Sequence, residues 1–302
     1  MRIVFMGTPE FAVPSLQILH ENGCNIVGVI TAPDKPKGRG KKLQGTPVKE
    51  YAESAGLQVL QPTNLKSEEF LSELRVLKAD LQIVVAFRML PEVVWDMPER
   101  GTFNLHGSLL PQYRGAAPIN WAIMNGEKET GVTTFFLKHE IDTGSVILQE
   151  KESIGSEDTV GDVYGRLMHK GAGLVLKTVL TIEEGDVQLK PQVESRDLKS
   201  APKIHKETCE IDWAKESETI RNFVRGLSPY PAAWTTLGGK KFKVYKVRSA
   251  QRGNKTIGEF ETDNKTYLSV KTKDGWLDLI DLQMEGKKRM PIDDLLRGFK
   301  FD

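Results

Sequence analysis

The first apolar run, Arg2 to Met6, stops at Gly7-Thr8-Pro9, after which Phe11, Leu16, Ile18 and Leu19 recur at helical spacing up to Gly23. The chain therefore opens as strand, glycine turn, helix. Ile26 to Ile30 predicts a second strand, and Asp80 to Ala86, nearly all apolar around Gln82, reads as a strand buried on both faces. Strands alternating with helices predict a doubly wound parallel sheet. Thr102 to Leu105 predicts a further strand, Ile119 to Met124 a short helix, and Thr133 to Leu137 and Val146 to Leu148 two more strands. Thr159 has the position of an N-cap for a helix carrying Val163, Leu167, Leu174, Val175, Val179 and Leu180.

From Gly185 to Lys206 the periodicity is lost while Lys, Pro and Ser accumulate, so residues 185–206 are expected to link a first domain, 1–184, to a second, 207–302. In the second, Ile220, Phe223, Val224 and Leu227 fall at helical spacing. Phe242 to Val247, Tyr267 to Val270 and Trp276 to Leu282 read as short strands with turns between, which predicts a small, mostly antiparallel barrel.

Composition narrows the class. The chain has 302 residues, 39% apolar and 27% charged, the balance of a globular protein with enough length for two cores. No stretch approaches the ~20 apolar residues of a membrane span, and the opening is too short for a signal peptide, so a cytoplasmic protein is expected. Cys24 and Cys209 stand apart with no Cys-x-x-Cys or Cys/His cluster, which indicates neither a disulfide framework nor a metal site. Net charge is +1, yet from Ile204 onward there are 19 Lys and Arg against 15 Asp and Glu, a mildly basic final third. The first turn, Gly7-Thr-Pro-Glu-Phe-Ala12, lacks the three glycines that let a pyrophosphate approach a helix start, so it does not argue for a dinucleotide.

Candidate chemistry gathers in one stretch, Asn104-Leu-His106-Gly-Ser108-Leu-Leu-Pro111-Gln-Tyr-Arg114-Gly115-Ala-Ala-Pro118. The period of two places Asn104 and His106 on one face at a strand's carboxyl end, the edge where open α/β sheets bind ligands. A core histidine followed by an ordinary Pro/Gly loop would show the same spacing.

Several segments carry a resemblance to the methionyl-tRNA formyltransferase family across both domains. They are Met6 to Phe11, Pro33 to Lys42, Asn104 to Pro111, Tyr113 to Pro118, Ile141-Asp142-Thr143-Gly144 and Ser228-Pro-Tyr-Pro231. The Asn-x-His plus Asp-Thr-Gly pattern is that of the wider 10-formyltetrahydrofolate-dependent transferases. The resemblance implies a Rossmann-like catalytic domain followed by an oligonucleotide-fold-like barrel, and formyl transfer from 10-formyltetrahydrofolate to the amine of initiator methionyl-tRNA. It implies Asn104, His106 and Asp142 as the catalytic residues. The chemistry suits them: an amine attacking a formyl carbon needs donors for the developing oxyanion and an acceptor for a proton. Asn104 and a protonated His106 can donate, and Asp142 can accept.

By the same resemblance Ser108, Leu109, Leu110 and Pro111 contact folate, and Phe87, Arg88, Met89 and Leu90 line the pterin pocket. In that wall Ala86-Phe-Arg-Met-Leu-Pro91 is one residue shorter than the family's usual Ala-Tyr-Gly-x-x-Leu-Pro run and lacks its glycine. Lys35, Lys37, Arg39, Lys41, Lys42 and Lys49 crowd a loop with three glycines, which charge alone would leave as a solvated loop and which the resemblance assigns to the acceptor end of tRNA. Lys240, Lys241, Lys243, Lys287, Lys288 and Arg289 are candidate phosphate contacts in the second domain. Two rivals stay open: a formyltransferase acting on an amino sugar or a ribonucleotide amine, and a nonenzymatic RNA-binding module.

Overall fold

The computed structural model describes residues 1–37 and 42–301. In chain order the strands of the first sheet region are β1 (Arg2–Gly7), β2 (Asn25–Ile30), β3 (Lys35–Lys37), β4 (Lys42–Gln44), β5 (Val59–Leu60), β6 (Leu81–Val85), β7 (Thr102–His106), β8 (Arg114–Gly115), β9 (Glu129–Phe136) and β10 (Val146–Ser153). Between and after them run α1 (Val13–Glu21), α2 (Pro47–Ser54), α3 (Glu68–Val76), α4 (Glu92–Trp95), α5 (Pro118–Met124) and α6 (Val160–Glu184). The rest comprises β11 (Ser200–Ala201), α7 (Ser217–Leu227), β12 (Ala233–Leu237), β13 (Lys240–Ala250), β14 (Phe260–Thr262), β15 (Leu268–Lys271), β16 (Trp276–Met284), β17 (Met290–Pro291) and α8 (Ile292–Gly298).

The chain forms two compact units. One holds residues 1–115, 131–152 and 164–199; the other holds 116–130, 153–163 and 200–302. The first is built on a seven-stranded sheet in the order β10-β9-β7-β6-β1-β2-β5. β7, β6, β1, β2 and β5 are parallel, and β9 runs antiparallel to β7 with His106 opposite Thr133. The parallel part is the doubly wound sheet the alternation predicts, and the whole is the Rossmann-like domain the resemblance implies, with β9 added antiparallel. β1 and β6 are apolar because helices cover both faces: Ile3 to Met6 and all of β6 are buried. The chain grows from β1 toward β5, then returns to β6 and β7 on the other side, so the switch in winding falls between β1 and β6. The carboxyl ends of β1, β6 and β7 share the edge beside it.

α6 carries Leu167, Leu174, Val175, Val179 and Ile182 inward, while Leu180, expected on that face, is exposed. Gly171 lets α6 approach β7: a Cβ there would lie 2.7 Å from Leu105 Cδ2. Because Leu105 is buried and has little room to give, Gly171→Ala should fail to gain the roughly 1 kcal/mol that alanine usually brings to a helix interior. Urea unfolding measures this, and a full gain of about 1 kcal/mol would refute close packing at that point.

In the second unit an antiparallel sheet in the order β12-β13-β16-β15-β14, with β17 against β16, curls as a half-barrel. Ile220, Val224 and Leu227 of α7 join its core with Phe242, Val244, Leu277 and Leu279. β13 runs beyond the expected Phe242 to Val247 at both ends, and within it a bulge at Tyr245 buries Val244 and Tyr245 in succession and breaks the alternation. Thr159 accepts from Asp162 N at 3.3 Å while Asp162 Oδ2 accepts from Thr159 N at 2.8 Å, so Thr159 is the N-cap its position predicts. Among the described residues no helix is long and apolar enough to cross a membrane.

Candidate active site

β7 sets the site. Its two-residue period turns Asn104 and His106 to one face, half-buried and 6% exposed respectively. His106 Nε2 lies 2.9 Å from Tyr113 O, which can only accept, so Nε2 carries a hydrogen and donates. That leaves Nδ1 as the nitrogen free to take or give a proton, and Nδ1 faces Asp142 Oδ2 at 3.8 Å. The distance suits an ion pair but is too long for a hydrogen bond. The other edge of the ring meets Phe135 at right angles, 6.4 Å between centroids, which fixes its plane. The Asn104 carboxamide has no hydrogen-bond partner among the described residues, so both its donors remain for a ligand.

Asp142 comes from the segment between β9 and β10. Its Oδ2 accepts from Gly115 N at 2.9 Å, and its backbone has φ +56°, a left-handed conformation uncommon for a residue with a side chain. Tyr113 (φ +60°) and Ala86, which follows β6 (φ +48°), share that conformation. Three of the six described non-glycine residues with positive φ thus lie in the site's own segments, the clustering expected of a functional edge. Gly144 explains the glycine of Asp142-Thr-Gly144: a Cβ there would fall 1.5 Å from Phe136 O, so the loop can close on β9 only without one.

The segment after β7 is knit to β9 and β10. Thr133 Oγ donates to Ser108 O at 2.6 Å and accepts from Leu110 N at 3.1 Å, and Gln149 Nε2 donates to Leu110 O at 2.8 Å. Ser108 is fully buried with its hydroxyl on Gln112 O, and Leu110 packs with Phe135 and Val146. Ser108 and Leu110 therefore point inward, whereas Leu109 and Pro111 are half-buried; the Leu110-Pro111 bond is cis. Of the other expected wall, Leu90 belongs to the core, Phe87 packs against it, and Met89 is 73% exposed. Arg88 bonds Pro62 O and Thr63 O, which ties the 87–90 segment to the loop after β5. His139, on the solvent side, pairs with Glu92 of α4 at 3.1 Å and so joins the Asp142 segment to the same wall.

Residues 1–179 match the Formyl transferase family model, and residues 203–300 match that of the Formyl transferase C-terminal domain. A methionyl-tRNA formyltransferase of Parabacteroides distasonis is 58% identical, with 99% of this chain and 96% of that one covered. Another, of Flavobacterium johnsoniae, is 50% identical over 100% and 97%. The chain belongs to the methionyl-tRNA formyltransferase family. Solved structures that resemble it include HypX from Aquifex aeolicus in complex with tetrahydrofolic acid, 22% identical with a TM-score of 0.65. That match covers all of this chain but 48% of HypX. WlaRD, a sugar 3N-formyl transferase, is 23% identical with a TM-score of 0.67 over 95% and 99% of the chains. At such identities the likeness is one of fold.

The basic residues expected to contact phosphates fall in separate places. β3 and β4 form a two-stranded hairpin pairing Lys35 with Gln44 and Lys37 with Lys42. Lys35 is exposed; Arg39 and Lys41 lie outside the described residues. Lys49, counted with this loop by its charge, is bound instead to Asp34 at 2.7 Å, and Gln61 holds the other Asp34 oxygen at 2.7 Å. These bonds keep the Asp34 carboxyl below its ordinary range, and they clamp the hairpin's base. In the second unit Lys241 and Lys243 line a groove of about 530 Å³ with Lys206, Trp234 and an exposed Tyr230. Lys241 Nζ sits 3.3 Å above the Trp234 ring. Lys240, Lys287 and Lys288 are exposed on turns or strand ends, while Arg289 is spent on Asp281 at 2.6 Å and on the Tyr245 ring.

Spacing gave no signal for Gln192. Its Nε2 donates to Asp142 O and Gly144 O, each at 2.8 Å, and its Oε1 accepts from Arg114 Nε at 3.0 Å and Nη2 at 2.8 Å. It lies in the stretch read as a linker, which is anchored two residues earlier by a bridge between Lys190 and Val146.

Proposed function

We propose that this chain transfers formyl from 10-formyltetrahydrofolate to the amine of initiator methionyl-tRNA, with Asn104, His106 and Asp142 as the groups that carry the step. The observation that carries the reading is His106 at the end of β7 with Nε2 committed to Tyr113 O and Nδ1 facing Asp142, beside an uncommitted Asn104 amide, in a chain 50–58% identical to methionyl-tRNA formyltransferases. As the amine nitrogen bonds to the formyl carbon, Asn104 donates to the formyl oxygen, and His106 donates from Nδ1 when protonated. Asp142 accepts the proton the amine loses, and a proton delivered to N10 completes cleavage of the carbon–N10 bond. Leu109, Pro111 and the 87–90 segment are the folate-side contacts in this reading, with Ser108 and Leu110 holding the turn from behind. Such chemistry on charged tRNA belongs to the cytoplasm.

Purified protein given labelled 10-formyltetrahydrofolate should formylate methionyl-tRNA and leave an amino sugar nucleotide unmodified. The reverse preference would overturn the acceptor while keeping the reaction, and no transfer to either would leave an RNA-binding module.

The hairpin tests the tRNA contact separately. Arg39→Ala with Lys42→Ala should lower kcat/KM for methionyl-tRNA and flatten the dependence of log affinity on log salt by about 0.7 to 0.9 per lost phosphate contact. Folate binding should not change. A wild-type slope, measured by filter binding across a salt series, would make the hairpin a solvated loop.

A further inference from the structure

We infer that Gln192, gripped by Arg114, is a positioning residue that holds Asp142 where it faces His106; this rests on the catalytic reading above. Asp142 needs such a holder. Its left-handed backbone costs on the order of 1 kcal/mol or more for a residue with a Cβ and persists only where surrounding bonds enforce it. The Gln192 carboxamide supplies those bonds on both sides of Thr143, one N–H to Asp142 O and one to Gly144 O. Its oxygen is committed as fully as its nitrogen, since Arg114 offers two N–H groups in a fixed fork. A flipped amide would set NH2 against the guanidinium and oxygen against two carbonyls, so the network allows one orientation.

The same arginine is chain neighbour to Gly115, whose N–H holds Asp142 Oδ2, and its Nη1 is paired with Glu194 at 2.7 Å. Arg114, Gly115, Gln192 and Asp142 therefore form a closed ring of contacts. The carboxylate is fixed through its side chain and its main chain together. Gln192 itself faces carbonyls and a guanidinium rather than the space before Asn104, so it acts through Asp142.

Gln192→Ala should lower kcat about 10- to 100-fold, the range for displacing a supporting contact of a reacting group, with KM for both substrates moving less than about threefold. Arg114→Lys, which replaces the fork by a point donor, should show the same split to a smaller degree, so a general loss of folding in one variant does not decide the result. The discriminating measurement is a cycle with Asp142→Asn. If Gln192 works through Asp142, Gln192→Ala should cost less than about threefold in the Asp142→Asn background. A full second loss there, or a Gln192→Ala enzyme with parental kcat, overturns the inference. If Asp142→Asn alone keeps parental activity, the catalytic reading has failed instead.

Discussion

His106→Ala lowers the rate of formyl transfer by about two to four orders of magnitude, and Asp142→Asn does so in the same range, while tRNA affinity stays near that of the parent. The range corresponds to about 3–5 kcal/mol of transition-state stabilisation. In the proposed mechanism neither residue has a substitute. His106 Nε2 is locked on Tyr113 O, so Nδ1 alone can exchange a proton, and the facing carboxylate oxygen, 3.8 Å away, belongs to Asp142. The two should behave as a unit, so the double variant should cost far less than the product of the single losses. Single-turnover rates at saturating substrates measure this. Activity within a few-fold of the parent in either single variant would remove that residue from the chemistry, and multiplicative losses would give the two separate roles.

Gly144→Ala should be as damaging to activity and should also lower the melting temperature. The added Cβ would sit 1.5 Å from Phe136 O and 2.8 Å from its carbonyl carbon, both backbone atoms of β9, so no rotamer change relieves the clash. β9 is itself fixed by its pairing with β7. The loop carrying Asp142 must therefore lift away, breaking the bonds that Gln192 makes to Asp142 and Gly144 and taking the carboxylate from His106. Overpacking of this kind costs roughly 1–3 kcal/mol, so the variant should remain folded at room temperature and nearly inactive. A melting curve and a transfer assay on one preparation check it; parental activity would show that the loop has a second closed form.

What the chain's pattern revealed followed from side-chain periodicity. β7 is legible because polar and apolar residue types alternate along Thr102-Phe-Asn-Leu-His106, although the strand is buried on both faces, and that alternation puts Asn104 and His106 on one face. The paired ends of the hairpin were hidden because Lys49 reads as one more cation until its bond to Asp34 is seen. The bulge in β13 was hidden because Val244 and Tyr245 are buried in succession, which no period of two describes. The proximity of Asp142 to His106 came from resemblance: the two segments are joined by the antiparallel return of β9, and spacing does not encode which strand returns beside which. Gln192 was illegible for a different reason. Its work is done between a side-chain amide and main-chain carbonyls in an extended stretch, so neither apolar period nor charge marks it.

The stretch that carries Gln192 bears on how this chain can be divided or recombined with others. A cut after Glu184, where α6 ends, would keep the whole seven-stranded sheet and still remove the strap that reaches back to Asp142. A cut after Lys199 would keep Gln192, its partner Arg114, and the bond from Tyr113 N to Lys199 O that steadies the carbonyl holding His106. A chimera that exchanges the C-terminal module therefore keeps or loses the support of Asp142 according to a junction fifteen residues wide, between Glu184 and Lys199. Grafts joined beyond Lys199 carry the catalytic edge complete, and those joined at Glu184 must bring a matching glutamine of their own.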